Sequence, residues 1–147
     1  MPSYRRVFYV SRSLSTPSQI QRILASSRRN NSANGITGAL LFSGGFFAQV
    51  LEGASGAVAA LMTTISADPR HDGVTLLLDT PIDARRFPDW SLAYVGIPGV
   101  EDLIRHLVGV EVEACRAERL VDLLFTTLAA NAGAAGHQAS SNGALNS

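Results

Sequence analysis

Gln49 is a polar residue in the middle of an apolar run that extends from Phe46 to Leu51 and that predicts a buried strand. Burying an amide without hydrogen-bond partners costs about 1–3 kcal/mol on protein scales. Gln49 should therefore contact either other polar side chains or a polar ligand. The rest of the sequence favours a ligand.

Three further side chains could share that ligand, and none of them is a nucleophile or a metal ligand. Tyr9 lies on a predicted first strand, Asn31 ends the buried face of a predicted helix, and Trp90 lies at a predicted last strand. A tyrosine phenol can donate a hydrogen bond and also an electron, whereas an amide donates and accepts at once. If the fold brings these residues to Gln49, the set suits an aromatic heterocycle with an amide-like edge.

A strand over Val7–Val10 and a helix after it are predicted first. Thr16 is a suitable N-cap and Pro17 a suitable first helical residue, so the helix should run from there to about Asn31. One face of this helix begins apolar and becomes polar along Ile20, Leu24, Ser27 and Asn31. The buried stripe therefore ends in an amide.

A hairpin and a second helix are predicted next. The apolar runs 36–42 and 46–51 flank a turn of serine and two glycines, which favours a hairpin. Ser55 can cap a second helix that ends at Asp68-Pro69 and whose apolar face is Val58, Leu61, Met62 and Ile65. A loop over 68–72, a strand over 74–78 and a strand over 90–95 complete the order.

This order, βαββαββ, predicts an α+β, ferredoxin-like fold with an antiparallel or mixed five-stranded sheet and both helices on one face. Several strands are apolar at consecutive positions, so both sheet faces should be covered. The amphipathic segment 101–130, broken near Gly109, is predicted to cover the second face or to form an oligomer contact. We therefore expect a domain over 1–97, a helical extension over 98–131 and a disordered tail over 132–147.

The composition of the chain excludes several classes of function. The 147 residues are 46% hydrophobic, and 12 basic residues balance 12 acidic ones, so no overall charge favours nucleic acid or a membrane surface. Cys115 is the single cysteine, which excludes an internal disulfide, and with three scattered histidines it cannot build a zinc site. No apolar stretch is long enough to span a membrane. We expect a cytoplasmic protein without a metal.

Six short motifs occur along the chain in one order, and together they are far more specific than any of them alone: Tyr9–Ser11, Arg28–Asn31, Gly35–Leu41, Phe47–Gly53, Asp68–His71 and Arg86–Ser91. In these motifs and their order, the chain from about Tyr4 to Val95 resembles the BLUF domain, a sensor of blue light that uses FAD. It looks like the short, single-domain type of that family.

The resemblance implies a flavin ring between the two helices beneath the sheet, with FAD as the default cofactor and FMN or riboflavin as alternatives. Tyr9 would hydrogen-bond Gln49 and donate an electron to the excited flavin, and Gln49 would bridge Tyr9 and the flavin N5/O4 edge. After this proton-coupled electron transfer the Gln49 amide would rotate or tautomerise. The absorption would shift to the red and relax in the dark, and no substrate would be turned over, so the chain is not expected to be an enzyme.

The same resemblance assigns the remaining cofactor contacts. Asn31 would hold the carbonyl and N3 edge of the ring, with Asn30 beside it. Arg70 and His71 would lie toward the polar end of the cofactor, and Ser11 belongs to the same binding set.

One position departs from the family pattern, because the family commonly has Trp-Ser-Met where this chain has Trp90-Ser91-Leu92. Trp90 would be the third photoactive residue, and with Leu92 it would couple the site to the last strand. Leucine fills a similar volume to methionine but lacks its thioether. We hypothesise that Leu92 leaves the photocycle intact and alters how Gln49 is coupled to the last strand.

Two other readings of the residues stay open. One is a small hydrolase that resembles an acylphosphatase, with an arginine and an asparagine polarising a phosphoryl group. The other is an interaction domain without a chromophore. The arginine pairs 28–29 and 85–86 are predicted to be solvated and not to contact nucleic acid. For a light sensor, the output would pass through a homo-oligomer, at least a dimer, or through a separate effector protein.

Overall fold

The computed structural model of the chain describes residues 3–87, 92–96 and 98–123. Its elements in chain order are β1 (Tyr4–Ser13), α1 (Pro17–Ala33), β2 (Thr37–Ser43), β3 (Phe46–Ala54), α2 (Ser55–Ala67), β4 (His71–Ile82), β5 (Ala93–Gly96), α3 (Glu101–Leu107) and a further helix over 114–123, called α4 below.

The five strands form one mixed sheet in the order β4-β1-β3-β2-β5. β1 pairs with β3 and β4 in antiparallel fashion, β2 with β3 likewise, and β5 joins the edge of β2 in parallel. The first four strands therefore have the ferredoxin-like arrangement, and the predicted α+β fold is confirmed.

Both faces of the sheet are covered by helices. On one face α1 packs over Leu40 and Phe47, while α2 packs over Val7 and Leu51. On the opposite face α3 and α4 bury a larger cluster that includes Phe8. Consecutive apolar residues in β1–β3 thus have a hydrophobic partner on each side, which is the arrangement that the sequence predicts.

The start of α1 is fixed by a capping box. The Thr16 hydroxyl accepts from the Gln19 backbone N–H at 3.3 Å, and the Gln19 side chain accepts from the Thr16 N–H at 2.7 Å. Two backbone donors that the first turn leaves unpaired are satisfied in this way. The predicted roles of Thr16 as N-cap and Pro17 as first helical residue are confirmed.

Two local predictions are wrong. Ser55 does not cap α2 but is its first residue, because its hydroxyl hydrogen-bonds with that of Ser3, at 3.0 Å, and the N-cap Ala54 has no side-chain acceptor. His71 and Asp72 are not in a loop but begin β4. β1 extends to Ser13 and supplies backbone partners for them.

The break at Gly109 is confirmed, since this residue has a φ of 80° between α3 and α4, a conformation that glycine adopts without strain. Trp90, the predicted strand start at 90, the continuation of the last helix to 130 and the predicted tail lie outside the described residues. Within the described part of the chain, no helix has both the length and the apolar character needed to cross a membrane.

Candidate functional site

The hydrogen bond between Tyr9 and Gln49 is the centre of the site. The two residues face each other in the register of β1 and β3, and the Tyr9 hydroxyl donates to Oε1 of Gln49. Their side chains are 4% and 6% exposed, so the bond is almost fully shielded from water. Burial, with a smaller contribution from the negative charge of Asp68, raises the pKa of Tyr9 and keeps the phenol protonated.

A cleft with a cavity volume of about 130 Å³ opens over this pair between α1 and α2. Its floor is formed by the strand residues Tyr9, Leu40, Phe47 and Gln49, and one wall by the α1 residues Ile23, Ser26, Ser27, Asn30 and Asn31. The cleft therefore has an apolar floor interrupted by one phenol and one amide.

The Gln49 amide nitrogen is the most informative atom of the cleft. Oε1 receives the Tyr9 hydroxyl, and among the described residues the amide makes no other hydrogen bond. A buried amide N–H₂ without an acceptor is costly, since each unmade bond costs roughly 1–3 kcal/mol. Because Gln49 lines the cleft, a ligand with a hydrogen-bond acceptor at its edge would satisfy this donor.

Asn31 brings a second buried amide to the cleft, as its position on the inner face of α1 predicts. Its side chain is 2% exposed, and its backbone carbonyl accepts from the Ile36 N–H at 2.8 Å. That bond fixes the end of α1 against the start of β2. Asn30 lines the cleft nearer the solvent and is exposed.

The opposite wall comes from α2 and the turn after it, with Leu61, Thr64, Ile65, Asp68, Arg70 and His71. His71 is held at both ring nitrogens. Nε2 lies 2.7 Å from the Ile65 carbonyl, which can only accept, so this nitrogen carries the proton. In the neutral ring Nδ1 then accepts from the Ser11 hydroxyl at 2.9 Å.

Ser11 therefore does not line the cleft, although it was predicted with the cofactor contacts. It is fully buried, and it orients His71, whose ring meets the Tyr9 ring edge-on at a centroid distance of 6.2 Å. Ser11 thus contacts the site through His71, and its predicted role as a cofactor contact stays a prediction.

The polar mouth of the cleft holds an ion pair between Asp68 and Arg70, with Nη2 2.7 Å from Oδ2. This contact lowers the pKa of Asp68 and raises that of Arg70. Arg70 was predicted from the sequence as a contact for the polar end of a ligand. The pairing with Asp68, two residues earlier, was missed, although a short Asp-Pro-Arg turn favours such a contact.

Leu92 is buried beside the cleft and is 3% exposed. It packs in one cluster with Leu40 and Phe47, which belong to the cleft floor. Its carbonyl accepts from Nε of Arg28 at 3.0 Å, so α1 is tied directly to the residue before β5. Leu92 thus contacts the site through apolar packing rather than through a polar group.

The arginine pairs are less solvated than predicted. Arg28 is partly buried, and this burial lowers its pKa. Arg85 donates to the Thr37 hydroxyl at 2.9 Å, and Arg86 pairs with Asp122. Only Arg29 is exposed as predicted, because the other three point toward backbone, hydroxyl or carboxylate acceptors that lie far away in the sequence.

No group of three or more histidine, cysteine or acidic side chains that could hold a metal ion occurs in the described part of the chain. The residues that the cleft brings together are a phenol, amides, hydroxyls and an imidazole. These groups can orient and hydrogen-bond a planar heterocycle, and the phenol can supply an electron and a proton.

Comparison with protein families gives one match, over residues 5–93, to a family described as sensors of blue-light using FAD. Among curated proteins, the chain is 35% identical over 92 residues to the photoactivated adenylate cyclase subunit beta of Euglena gracilis, covering 60% of this chain and 11% of that protein. It is 38% identical over 69 residues to the blue light- and temperature-regulated antirepressor BluF of Escherichia coli, covering 47% and 17%. The chain thus spans only a small part of the curated relatives it matches.

Among solved structures, the dark state of the BLUF protein BlrB is similar over 88% of this chain and 98% of that chain, with a TM-score of 0.73 and 36% identity. The photo-activated state of BlsA covers 64% of this chain and 70% of its own, with a TM-score of 0.61 and 32% identity. A bacterial light-regulated adenylyl cyclase is similar over 81% of this chain and 36% of its own, with a TM-score of 0.62 and 28% identity.

Proposed function

The chain belongs to the BLUF family, the sensors of blue light using FAD, and from this premise we propose that Tyr9 and Gln49 form the light-dependent switch of its flavin site. The flavin would lie in the cleft between α1 and α2, above the Tyr9–Gln49 hydrogen bond. When bound, the flavin supplies the absorption of blue light and, once excited, a strong oxidant.

The observation that carries this proposal is the Gln49 amide nitrogen, which is buried, faces the cleft and has no acceptor among the described residues. A flavin edge with a carbonyl and a ring nitrogen offers the acceptors that this donor requires. Asn31, also buried, adds a donor and an acceptor on the adjacent wall. The apolar floor around Leu40 and Phe47 suits the flat faces of the ring.

In the proposed mechanism Tyr9 would give an electron to the excited flavin while its proton would leave along the hydrogen bond to Gln49, and both would later return to Tyr9. Gln49 can act as a relay because one amide both accepts and donates. The amide then rotates or tautomerises, and its donor is presented differently to the cleft. A stronger hydrogen bond to the flavin carbonyl would shift the absorption to the red until the dark arrangement returns.

The residues at the mouth of the cleft would hold the remainder of the cofactor. Arg70, fixed by Asp68, would face its charged end, and Asn30 would lie beside the ring. His71, locked by Ser11 and Ile65, would close the wall behind Tyr9. FAD is the cofactor of the family, and FMN or riboflavin would fill the ring site equally if recognition centres on the ring.

The output is proposed to pass by protein contact and not by catalysis within this chain. Some relatives join the same kind of domain to adenylate cyclases, and another is an antirepressor, so different outputs occur beside one sensor. We propose a cytoplasmic sensor that acts through a homo-oligomer or a separate effector. Mass measurement by light scattering in the dark and under blue light tests the oligomer, and a single species at monomer mass in both would contradict it.

Spectroscopy of the purified protein tests the proposed function. The protein, alone or after addition of FAD, should be yellow, and blue light should shift its spectrum reversibly to the red. Gln49→Leu should keep the flavin and lose this shift, since the amide is removed and the apolar floor is retained. A colourless protein that takes up no FAD would refute the proposal, and a normal shift in Gln49→Leu would refute the role of Gln49.

The alternative of a small hydrolase that resembles an acylphosphatase finds no support in these similarities. The arginine nearest the cleft, Arg70, is paired with Asp68 rather than left for an anionic substrate.

A further inference from the structure

Glu52 is a carboxylate with no solvent exposure, on the same strand as Gln49 but on the opposite face of the sheet. A buried charge is tolerated only when it is paired and hydrogen-bonded. Nε of Arg6 donates to Glu52 Oε2 at 2.7 Å. The photochemistry described above does not use this ion pair, so its retention in the core requires another explanation.

Two strands connect this ion pair to the photoactive pair. In the register of β1 and β3, Tyr9 faces Gln49 and Arg6 faces Glu52. The two cross-strand pairs are three residues apart, about 10 Å along the strands, and they point to opposite faces. Continuous backbone pairing of β1 and β3 therefore connects the two pairs.

Glu52 also fixes the segment that precedes Trp90. Its carboxylate accepts from the backbone N–H of Arg86 at 2.9 Å and from that of Phe87 at 3.0 Å. These amides come directly before residues 88–91. At the other end of that short stretch, Arg28 holds the carbonyl of Leu92. Glu52 and α1 thus hold the described residues on either side of positions 88–91.

The same carboxylate is linked to α4 by two arginines. Nη1 of Arg6 lies 3.9 Å from Oε1 of Glu118, and Arg86 forms an ion pair with Asp122. Glu118 and Asp122 are four residues apart and so lie on one face of the helix. The buried face of α4 packs Ala117, Leu120 and Val121 against the sheet.

We propose that Glu52 is a positioning residue that transmits the state of the Tyr9–Gln49 pair to α4 through Arg6 and Arg86. This inference rests on the proposed light-sensing function and adds the route by which the signal would reach α4. In the dark Glu52 holds the guanidinium of Arg6 and the backbone amides of Arg86 and Phe87, and α4 is docked. A light-induced shift of β3 alters this set of bonds and changes how firmly α4 is held.

Cys115 is a suitable labelling site on α4, because it is the single cysteine of the chain and is exposed. A nitroxide attached to Cys115 in the flavin-loaded protein reports the mobility of α4 by electron paramagnetic resonance. We expect blue light to change the mobility of the label in the native protein. Glu52→Gln should keep the red shift of the flavin and lose this change, because a neutral amide has one acceptor oxygen and cannot accept from Arg6 and from both backbone amides together.

A second variant covers the case in which Glu52→Gln fails to fold. Glu118→Gln combined with Asp122→Asn changes only the solvent side of the contact and leaves the flavin cleft intact. It should make the label more mobile in the dark and abolish most of the light-induced change. Asp79→Asn is the matched control: it breaks the exposed cross-strand pair of Arg5 and Asp79 on β1 and β4 and should leave the response at Cys115 unchanged.

The two hypotheses fail in distinguishable ways. A native protein without a red shift refutes the proposed function. A native protein that shows the red shift but no change at Cys115 overturns the inference about Glu52. A light-induced change of native size in folded Glu52→Gln, or in the double variant, overturns it equally.

Discussion

Replacing Tyr9 by phenylalanine removes a single oxygen atom and is the sharpest perturbation of the site. Tyr9→Phe keeps the ring that packs in the α2 cluster and deletes the hydroxyl that donates to Gln49 Oε1. Both residues are more than nine-tenths buried, so Oε1 loses its donor without gaining water. An unsatisfied buried acceptor costs about 1–3 kcal/mol, which corresponds to a fall in Tm of roughly 2–12 °C for a chain of this size.

The light response should change far more than the stability. Without a phenol, the site has neither the electron donor nor the proton donor of the proposed mechanism, so the reversible red shift should be abolished while flavin remains bound. Light-minus-dark absorption and thermal unfolding in the dark measure the two effects on one sample.

Tyr94→Phe is a suitable control for this experiment. Tyr94 lies on β5 in the same row of the sheet, since Leu40 pairs with both Gln49 and Tyr94, and it too loses only a hydroxyl. The red shift should persist in Tyr94→Phe. A normal red shift in Tyr9→Phe would refute the reasoning about the switch, whatever the change in Tm.

Three further predictions concern coupling, pH and folding. Leu92→Met should alter the lifetime of the lit state or the light-induced structural changes, and it should change stability by less than about 1.5 kcal/mol, because the volume is conserved and a thioether is placed beside Leu40 and Phe47. An unchanged lifetime by flash absorption together with unchanged light-induced structural differences would contradict the hypothesis about Leu92. Burial raises the pKa of Tyr9, so the stabilisation by its protonated phenol should be complete below about pH 10 and lost as the pH rises above that value. Denaturant titrations should show that the free energy of unfolding falls more steeply with alkaline pH in the native protein than in Tyr9→Phe. Equal slopes in the two proteins would argue against this effect. Thr16→Ala removes the cap of α1 and should lower the free energy of unfolding by about 0.5–2 kcal/mol, or Tm by roughly 1–8 °C. Thr63→Ala, at an exposed helical position, is the control. An unchanged Tm in Thr16→Ala would show that the capping box does not stabilise the fold.

The hairpin and the order of the elements were predictable because they depend on local signals. Pro17 after Thr16, the two glycines after Ser43 and the apolar runs on either side each act within a few residues. The ends of β4 were not predictable in this way. His71 and Asp72 look like turn residues, but they enter the strand because β1 continues far enough to pair with them.

In the cleft, too, the residues with a local sequence signal were predictable and those with distant partners were not. Gln49 could be identified because a polar residue interrupts an apolar run, and Asn31 because it continues a helical face. Glu52 gave no comparable signal, since it follows the apolar run and could have been exposed. Its partners Arg6 and Arg86 are 46 and 34 residues away, and the bond from Arg28 to Leu92 spans 64 residues.

Light-minus-dark infrared spectroscopy with isotope-labelled glutamine tests the central claim most directly, because it observes the amide that is proposed to switch. In the flavin-loaded protein, blue light should change amide bands that move with the glutamine label and that vanish in Gln49→Leu, which separates Gln49 from the other glutamines of the chain. A protein that shows the flavin red shift without any such glutamine band would contradict the account.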